Sequence, residues 1–221
     1  MSTSFSAHTT LRVGGPADSW ITVDDEAAAL DCVRQCDAVG IPLLVVGGGS
    51  NLLVGDEGFR GTVLEIATRG VSAKDDGAGV VVALAAGEEW DSVVAHCVTQ
   101  GWSGVEALAG IPGRVGATPI QNVGAYGQDV SQVIESVRAL DRSSGAVVEL
   151  SAAQCAFGYR TSTFKREPGR WVVLEVRLRL SRSGVGGVRY GELARQLQVE
   201  VGDEAPIDAV RDAVLALRRA K

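Results

Sequence analysis

The stretch from Ala109 to Gly127, AGIPGRVGATPIQNVGAYG, constrains this chain more than any other. It is rich in glycine, alanine and proline, nearly free of charge, and carries the adjacent amides Gln121 and Asn122. Neither the period of an amphipathic helix nor the alternation of a half-buried strand runs through it. Glycines let backbone N–H groups approach a ligand that a Cβ would hold away, and consecutive N–H groups in such turns form anion-accepting concavities. A second stretch, Val45 to Val54 (VVGGGSNLLV), has the same character. It leaves an apolar strand, passes Gly47, Gly48 and Gly49, then Ser50 and Asn51, and returns to apolar residues. Together the loops read as two sides of a diphosphate cradle; either one alone also reads as an ordinary turn.

The bounds on such a site are set by size and charge. At 221 residues the chain can bury a full core and is near the upper size of one domain, so two can be accommodated. Hydrophobic residues make up 46% and charged residues 22%, as in a soluble globular protein. The net charge of -6 speaks against nucleic acid as main partner, since phosphate backbones select basic surfaces. No apolar run approaches the roughly 20 residues of a membrane span. The opening MSTSFSAHTT has neither the basic nor the apolar segment of a secretory signal. A cytoplasmic protein without membrane contact is expected. Cys32 and Cys36 lie four apart on one face of an expected helix, Cys97 and Cys155 stand far away, and no C-x-x-C occurs. With His8 and His96 they make no metal set, so reduced thiols on apolar faces and no metal site are expected.

In chain order, Trp20 to Val23 reads as a strand. Asp24 and Asp25 are N-cap candidates for a helix through about Val39, stopped by Gly40 and Pro42. Leu43 to Val46 reads as a buried strand and Thr62 to Ile66 as another, an α/β opening. From about Val71 the character changes. A hairpin turn at Lys74 to Gly79 precedes a strand, Val80 to Ala85, and Glu88 to Gln100 reads as a helix with acidic residues in its first turn. Ser136 to Asp141 and Ala146 to Leu150 are strands. Trp171 to Leu180 alternates, with Val172, Leu174, Val176, Leu178 and Leu180 on one face and Glu175, Arg177 and Arg179 on the other, as in an antiparallel or mixed sheet. The second block is therefore α+β. Before it, FGYRTSTFK (Phe157 to Lys165) crowds polar residues together, either as a solvated loop or as a site for an anionic substrate. There Arg160 stands out, because a guanidinium holds a carboxylate with two hydrogen bonds. SRSGVGG, Ser181 to Gly187, has a linker composition and marks an expected domain boundary. A short helix follows (Glu192 to Leu197), then Pro206 opens a last helix with Ile207, Val210, Val214 and Leu217 on one face. Its pattern stops at Lys221 without a capping glycine, and a domain cut short is expected.

The order and spacing of VVGGGSNLLV, AGIPGRVGATPIQNVGAYG, FGYRTSTFK and RYGEL resemble the bacterial UDP-N-acetylenolpyruvoylglucosamine reductase (UDP-N-acetylmuramate dehydrogenase) family over essentially the whole chain. That resemblance implies an α+β fold: the two-subdomain FAD-binding fold of vanillyl-alcohol-oxidase-like flavoenzymes. Residues 1–182 would form it, with subdomains of about 1–69 and 70–182, and 183–221 would begin a substrate-binding domain. It implies reduction of the enolpyruvyl UDP-sugar by NADPH through non-covalent FAD, in peptidoglycan precursor synthesis, by a monomer. FAD would be held by Gly47, Gly48, Gly49, Ser50 and Asn51, by Pro112, Gly113, Gly116, Ala117, Thr118, Ile120, Gln121 and Asn122, and by Gly124, Ala125, Tyr126 and Gly127. Arg160 would be catalytic, stabilising negative charge beside the substrate carboxylate. Tyr159, Arg160, Tyr190, Arg218 and Lys221 would meet the substrate.

The chain departs from the family in one respect. The proton-donating serine, in a Ser-Gly-Ser-Phe-Phe-like motif, and an assisting glutamate would both fall past Lys221, so turnover by this chain is not expected. Two other readings stay open: another flavin-dependent oxidoreductase of the same fold, and a non-catalytic FAD- or nucleotide-binding remnant.

Overall fold

Two larger sheets of opposite character are present in the computed structural model, which describes residues 3–220. The first is built from β1 (Ala17–Val23), α1 (Glu26–Val39), β2 (Leu43–Val46) and β3 (Phe59–Ile66). Its strands run parallel in the order β1-β3-β2, the connection that a crossover helix permits. Asp25 starts α1 by accepting the Ala28 N–H at 3.0 Å. Gly40 ends it at φ 71°, a left-handed position open to glycine at little cost. Ala29, Val33 and Cys36 bury the inner face.

The second sheet is antiparallel. β4 (Val71–Asp75) and β5 (Val80–Ala85) form the expected hairpin, and α2 (Trp90–Thr99) follows, shorter at both ends than its apolar pattern. After the glycine-rich stretch come a small hairpin, β6 (Gly124–Ala125) with β7 (Gln128–Asp129), and then β8 (Ile134–Asp141) and β9 (Ala146–Ser151). Two single-turn helices, α3 (Ala152–Cys155) and α4 (Thr163–Arg166), lead to β10 (Trp171–Leu180). The strand order is β4-β5-β10-β8-β9, so β10 is central. Its five alternate apolar residues, Val172 to Leu180, are all buried. On the other face Arg177 pairs with Glu149 at 3.0 Å and Glu175 at 2.8 Å, and Arg179 pairs with Asp76 and Glu135. The sheets are also linked by charge: Arg138 of β8 holds Glu26 of α1 through two bonds of 2.5 Å, and Arg142 holds Asp37.

The remaining elements are β11 (Val185–Gly187), α5 (Gly191–Leu197), β12 (Glu204–Pro206) and α6 (Ile207–Arg219). SRSGVGG is not a free linker. Ser181 exchanges backbone hydrogen bonds with Ser103 at 2.8 and 3.0 Å, and β11 pairs with β12. Gly186 sits so close to the buried Glu106 that a Cβ would lie 2.1 Å from the carboxylate. The small residues that read as a linker are what allow this approach. Val188, Leu193, Val210 and Val214 join the same buried cluster as the antiparallel sheet. Among the described residues no helix is long and apolar enough to cross a membrane. Lys221, expected to meet the substrate, lies outside the described residues.

Candidate functional site

The two glycine-rich stretches meet. Ser50 Oγ donates to the Pro112 carbonyl at 3.2 Å, and Asn51 Nδ2 donates to Gln121 Oε1 at 3.3 Å. A Cβ on Gly48 would lie 3.3 Å from the Gly113 Cα, and one on Gly47 would lie 3.2 Å from Arg114. Gly49 has φ 63°, and its Cβ would be 1.9 Å from the His8 carbonyl oxygen, so only glycine fits. From behind, the second stretch is pinned by the Trp90 N–H on the Gly113 carbonyl (3.1 Å), the Val115 N–H on Glu88 (2.9 Å) and the Gly116 N–H on Ala86 (2.8 Å). The N–H groups of Gly48, Ser50 and Gly113 donate to no protein acceptor among the described residues.

Three cavities run along this seam. A slot of about 430 Å³ lies between the sheets, walled by Leu44, Val45, Ile66, Phe164 and Val172 and closed by Gly47, Arg114, Gly116, Ala117 and Ile120. A groove of about 320 Å³ is lined by Gly48, Ile111, Pro112, Gly113 and Arg114, with Glu89 and Asp91 at its edge. An open cavity of about 580 Å³ is lined by Gly110, Gly124, Ala125, Tyr126, Tyr190 and Arg218. Arg114 is common to the first two, and Ile111 of the second follows Gly110 of the third. The second glycine-rich stretch thus lines all three, an apolar slot, a glycine-walled groove and an open, partly aromatic cavity, together termed the track.

At the open end the Tyr126 and Tyr190 rings meet edge to face, 5.6 Å between centroids. The Arg218 guanidinium lies 5.5 Å from the Tyr126 ring centroid, and its buried Nε has no hydrogen-bond partner. Beneath the β6–β7 hairpin, Glu106 is 1% exposed and accepts the Gly104 N–H and Gln128 Nε2, both at 2.6 Å. Gln128 in turn accepts the Ala107 N–H at 2.9 Å.

Arg160 stands on a tight turn in which Gly158 and Thr161 exchange backbone hydrogen bonds of 3.0 and 3.2 Å. Its φ of 51° is unusual for a residue other than glycine, and such positions cluster at functional sites. Asn122 Nδ2 donates to the Gly158 carbonyl at 3.2 Å and Ser162 Oγ to the Ile120 carbonyl at 2.5 Å, sewing this turn to the glycine-rich stretch. The Arg160 guanidinium is exposed and has no partner among the described residues. Tyr159 is 92% exposed.

The expected residues thus divide. Gly47, Gly48, Pro112, Gly113, Gly116, Ala117 and Ile120 line the slot or groove; Gly124, Ala125, Tyr126, Tyr190 and Arg218 line the open end. Ser50, Asn51 and Gln121 bind the loops to each other. Thr118 and Asn122 turn their side chains inward, the hydroxyl onto the Val115 carbonyl (2.8 Å) and the amide onto Gly158 and Ser131. Gly127 packs under Arg189, where a Cβ would meet the Arg189 Cβ at 2.7 Å. The slot walls Leu44, Val45, Phe164 and Val172 carried no signal of their own, because a strand residue beside a ligand looks like any core residue. Arg114 lay inside the quoted motif without being singled out. Burial pushes the Cys97 and Cys155 thiols up to about 12, away from nucleophilic chemistry.

The FAD binding domain family matches residues 17–151, more than half of the chain. The chain belongs to this family. Its relatives sharpen the point. The UDP-N-acetylenolpyruvoylglucosamine reductase of Streptomyces coelicolor is 54% identical over 215 residues, covering 96% of this chain and 55% of that protein. The crystal structure of the same reductase from Thermus caldophilus superposes with a TM-score of 0.69 at 27% identity, covering 100% of this chain and 68% of that one. A solvent-stable cholesterol oxidase shares the fold alone, with a TM-score of 0.60 at 15% identity over 90% of this chain and 41% of its own. The resemblance and the two-subdomain FAD-binding fold expected from the motifs are both borne out. The chain spans little more than half the length of the Streptomyces relative. FAD fits the track: the N–H groups of Gly48, Ser50 and Gly113 have no protein acceptor among the described residues, a Cβ at Gly47 or Gly48 would crowd the meeting of the loops, and the slot is walled mostly by apolar side chains.

Proposed function

We propose that the chain is the FAD-binding part of an NADPH-dependent reductase of UDP-N-acetylglucosamine enolpyruvate, working in peptidoglycan precursor synthesis. The observation that carries this reading is that one glycine-rich stretch lines an apolar slot, a groove with unpaired backbone N–H groups, and a cavity with two tyrosines and the half-buried Arg218. Leu44, Val45, Phe164 and Val172 would hold the adenine in the slot. The diphosphate takes the N–H groups of Gly48, Ser50 and Gly113, as oriented peptide dipoles favour anions. The residues from Gly110 to Ala125 would hold the flavin ring, without a covalent bond, since no cysteine or histidine among the described residues lines the track. Bound FAD supplies reversible two-electron chemistry. Residues 1–182 are the FAD-binding domain, divided near residue 69, and residues from 183 onward open the substrate-binding domain.

Each polar residue of the open end then has a task. Arg218 and the exposed Arg160 present guanidinium groups to the carboxylate and phosphates of the sugar nucleotide, where Arg geometry gives paired hydrogen bonds. Arg160 stabilises charge that develops beside the carboxylate as the double bond is reduced. Tyr159 and Tyr190 cover the substrate. The reduction also needs a proton, which none of the residues assigned above supplies, so the reduction of the flavin is the half-reaction these residues account for.

The test is spectroscopic. Folded chain mixed with FAD should show a perturbed flavin band that bleaches under anaerobic NADPH and is not reoxidised by the enolpyruvyl UDP-sugar. A chain that is folded by circular dichroism yet leaves the FAD spectrum and fluorescence unchanged would overturn the reading. Rapid reoxidation by oxygen with no response to NADPH would favour an oxidase.

A further inference from the structure

The seam between slot and groove holds one cation whose position is unexplained by packing alone. Arg114 sits in the second glycine-rich stretch with its side chain only 18% exposed. Its Cβ and Cγ lie 3.2 Å from where a Cβ on Gly47 would be, so the stem crosses the first glycine loop. It lines both the slot and the groove, the only one of the described residues common to the two. The guanidinium makes one ion pair, Nη1 to Glu89 Oε1 at 3.1 Å, and Glu89 is 60% exposed. A pair with so exposed a partner is weak and readily exchanged. The other donors of the fork have no protein acceptor among the described residues.

The other cations that line the slot are engaged elsewhere. Arg142, which also lines the slot, holds Asp37 and the Gly169 carbonyl (2.7 Å). Lys165 donates to the Arg160 carbonyl at 2.8 Å. In the groove, Asp91 accepts the Gly110 N–H at 2.6 Å, and with Glu89 it adds negative charge to a place where a diphosphate must pass. Backbone N–H groups alone would have to outweigh two carboxylates. A guanidinium at this point removes that conflict, pairing with Glu89 when the site is empty and with phosphate oxygens when it is full.

We propose that Arg114 is a further cofactor-positioning residue of this chain: its guanidinium contacts the FAD diphosphate where the two glycine loops meet. The inference rests on the FAD reading above and adds a contact that backbone cradling does not require. The competing role is purely structural, an Arg114–Glu89 tie between the loop and the start of α2, and the two roles make opposite predictions for Glu89.

The test measures dissociation constants by flavin fluorescence for FAD and for riboflavin, which lacks the diphosphate, with folding checked by thermal melts. Arg114→Gln should weaken FAD roughly ten- to hundredfold, the usual effect of one charge-assisted hydrogen bond, and leave riboflavin unchanged. Its FAD binding should also depend less on salt. Glu89→Gln should bind FAD as tightly as the wild type or more tightly, because it releases the guanidinium. Should Arg114→Gln fail to fold, Arg114→Lys keeps a charge without the planar fork and should weaken FAD less than tenfold while keeping the salt dependence. The proposal is overturned if Arg114→Gln binds FAD like the wild type, or if Glu89→Gln weakens FAD as much as Arg114→Gln does. A folded wild-type chain that binds neither FAD nor riboflavin overturns the proposed function and this inference with it.

Discussion

Gly48 and Gly49 are neighbours with different reasons for being glycine, and mutation should separate them. Gly49 is fixed by its fold: φ is 63° and a Cβ would collide with the His8 carbonyl at 1.9 Å. Gly49→Ala should cost at least about 2 kcal/mol, a backbone penalty compounded by displacement of the N-terminal segment, read as a lower urea midpoint. Gly48 has no positive φ, and a Cβ there would come within a tight 3.3 Å of the Gly113 Cα. Gly48→Ala should cost less than Gly49→Ala, about 1 kcal/mol or less, yet weaken FAD by occupying the cradle. Normal FAD affinity in that variant would sink the placement of the diphosphate. Glu106 is a third residue whose task is visible only in three dimensions. Its carboxylate, 1% exposed, serves Gly104 and Gln128 beneath the Tyr126 hairpin. Glu106→Ala strands both donors and should cost about 1–3 kcal/mol in equilibrium unfolding. The sequence marked the loops as glycine-rich, but could not say which glycine meets a carbonyl and which meets a ligand, because that depends on His8 and Gly113 arriving from elsewhere in the chain.

Among elements, those with local or strongly alternating patterns were legible. α1 was readable from Asp25 and Gly40, and β2, β5 and β10 ended where their apolar runs end. Less legible were elements that exist only through distant partners. β11 needs β12, and α4 is a single turn started by Ser162, whose hydroxyl accepts the Lys165 N–H at 3.3 Å while donating to Ile120. The turn after β8 yields a pH prediction. Asp141 at the strand end accepts Arg170 Nε at 2.9 Å and Nη2 at 2.7 Å, together with the Ser143 hydroxyl at 2.7 Å. The Arg170 bonds, then Ser143, hold its carboxyl well below the usual carboxylate range. The folded state therefore binds this proton more weakly than the unfolded chain. The stabilisation is complete above the unfolded carboxylate value, near pH 4, and is lost as pH falls toward the lower folded value. Thermal melts should show the wild type losing stability steeply below about pH 4, with a shallower loss for Arg170→Met. Parallel curves for the two proteins would remove Asp141 from the acid response.

At the scale of the molecule, the slot exists because residues from two sheets that read as separate blocks line one cavity. Its slot takes Leu44 and Val45 from the parallel sheet and Val172 from the antiparallel one, residues that in sequence are simply the interiors of strands. Hence the glycine walls were readable and the apolar walls were not: a cavity between domains belongs to neither pattern. The Arg138–Glu26 and Arg142–Asp37 pairs tie α1 to the antiparallel sheet with arginines of β8 and its following turn, and fix the spacing of the two sheets. A ligand that fills the slot should then act as a third tie. A ligand that binds only the folded chain stabilises it by about 2.7 kcal/mol at a hundredfold excess over its dissociation constant, so FAD should raise the melting temperature with a logarithmic dependence on concentration. Hydrogen exchange locates the effect. Protection should increase in β2, in the 47–51 loop, along 110–120 and in β10, while β9 and β12, which line no part of the track, stay as they were. Stabilisation with protection confined to one sheet would mean that FAD does not bridge the two, and the slot would lose its assignment as the adenine site.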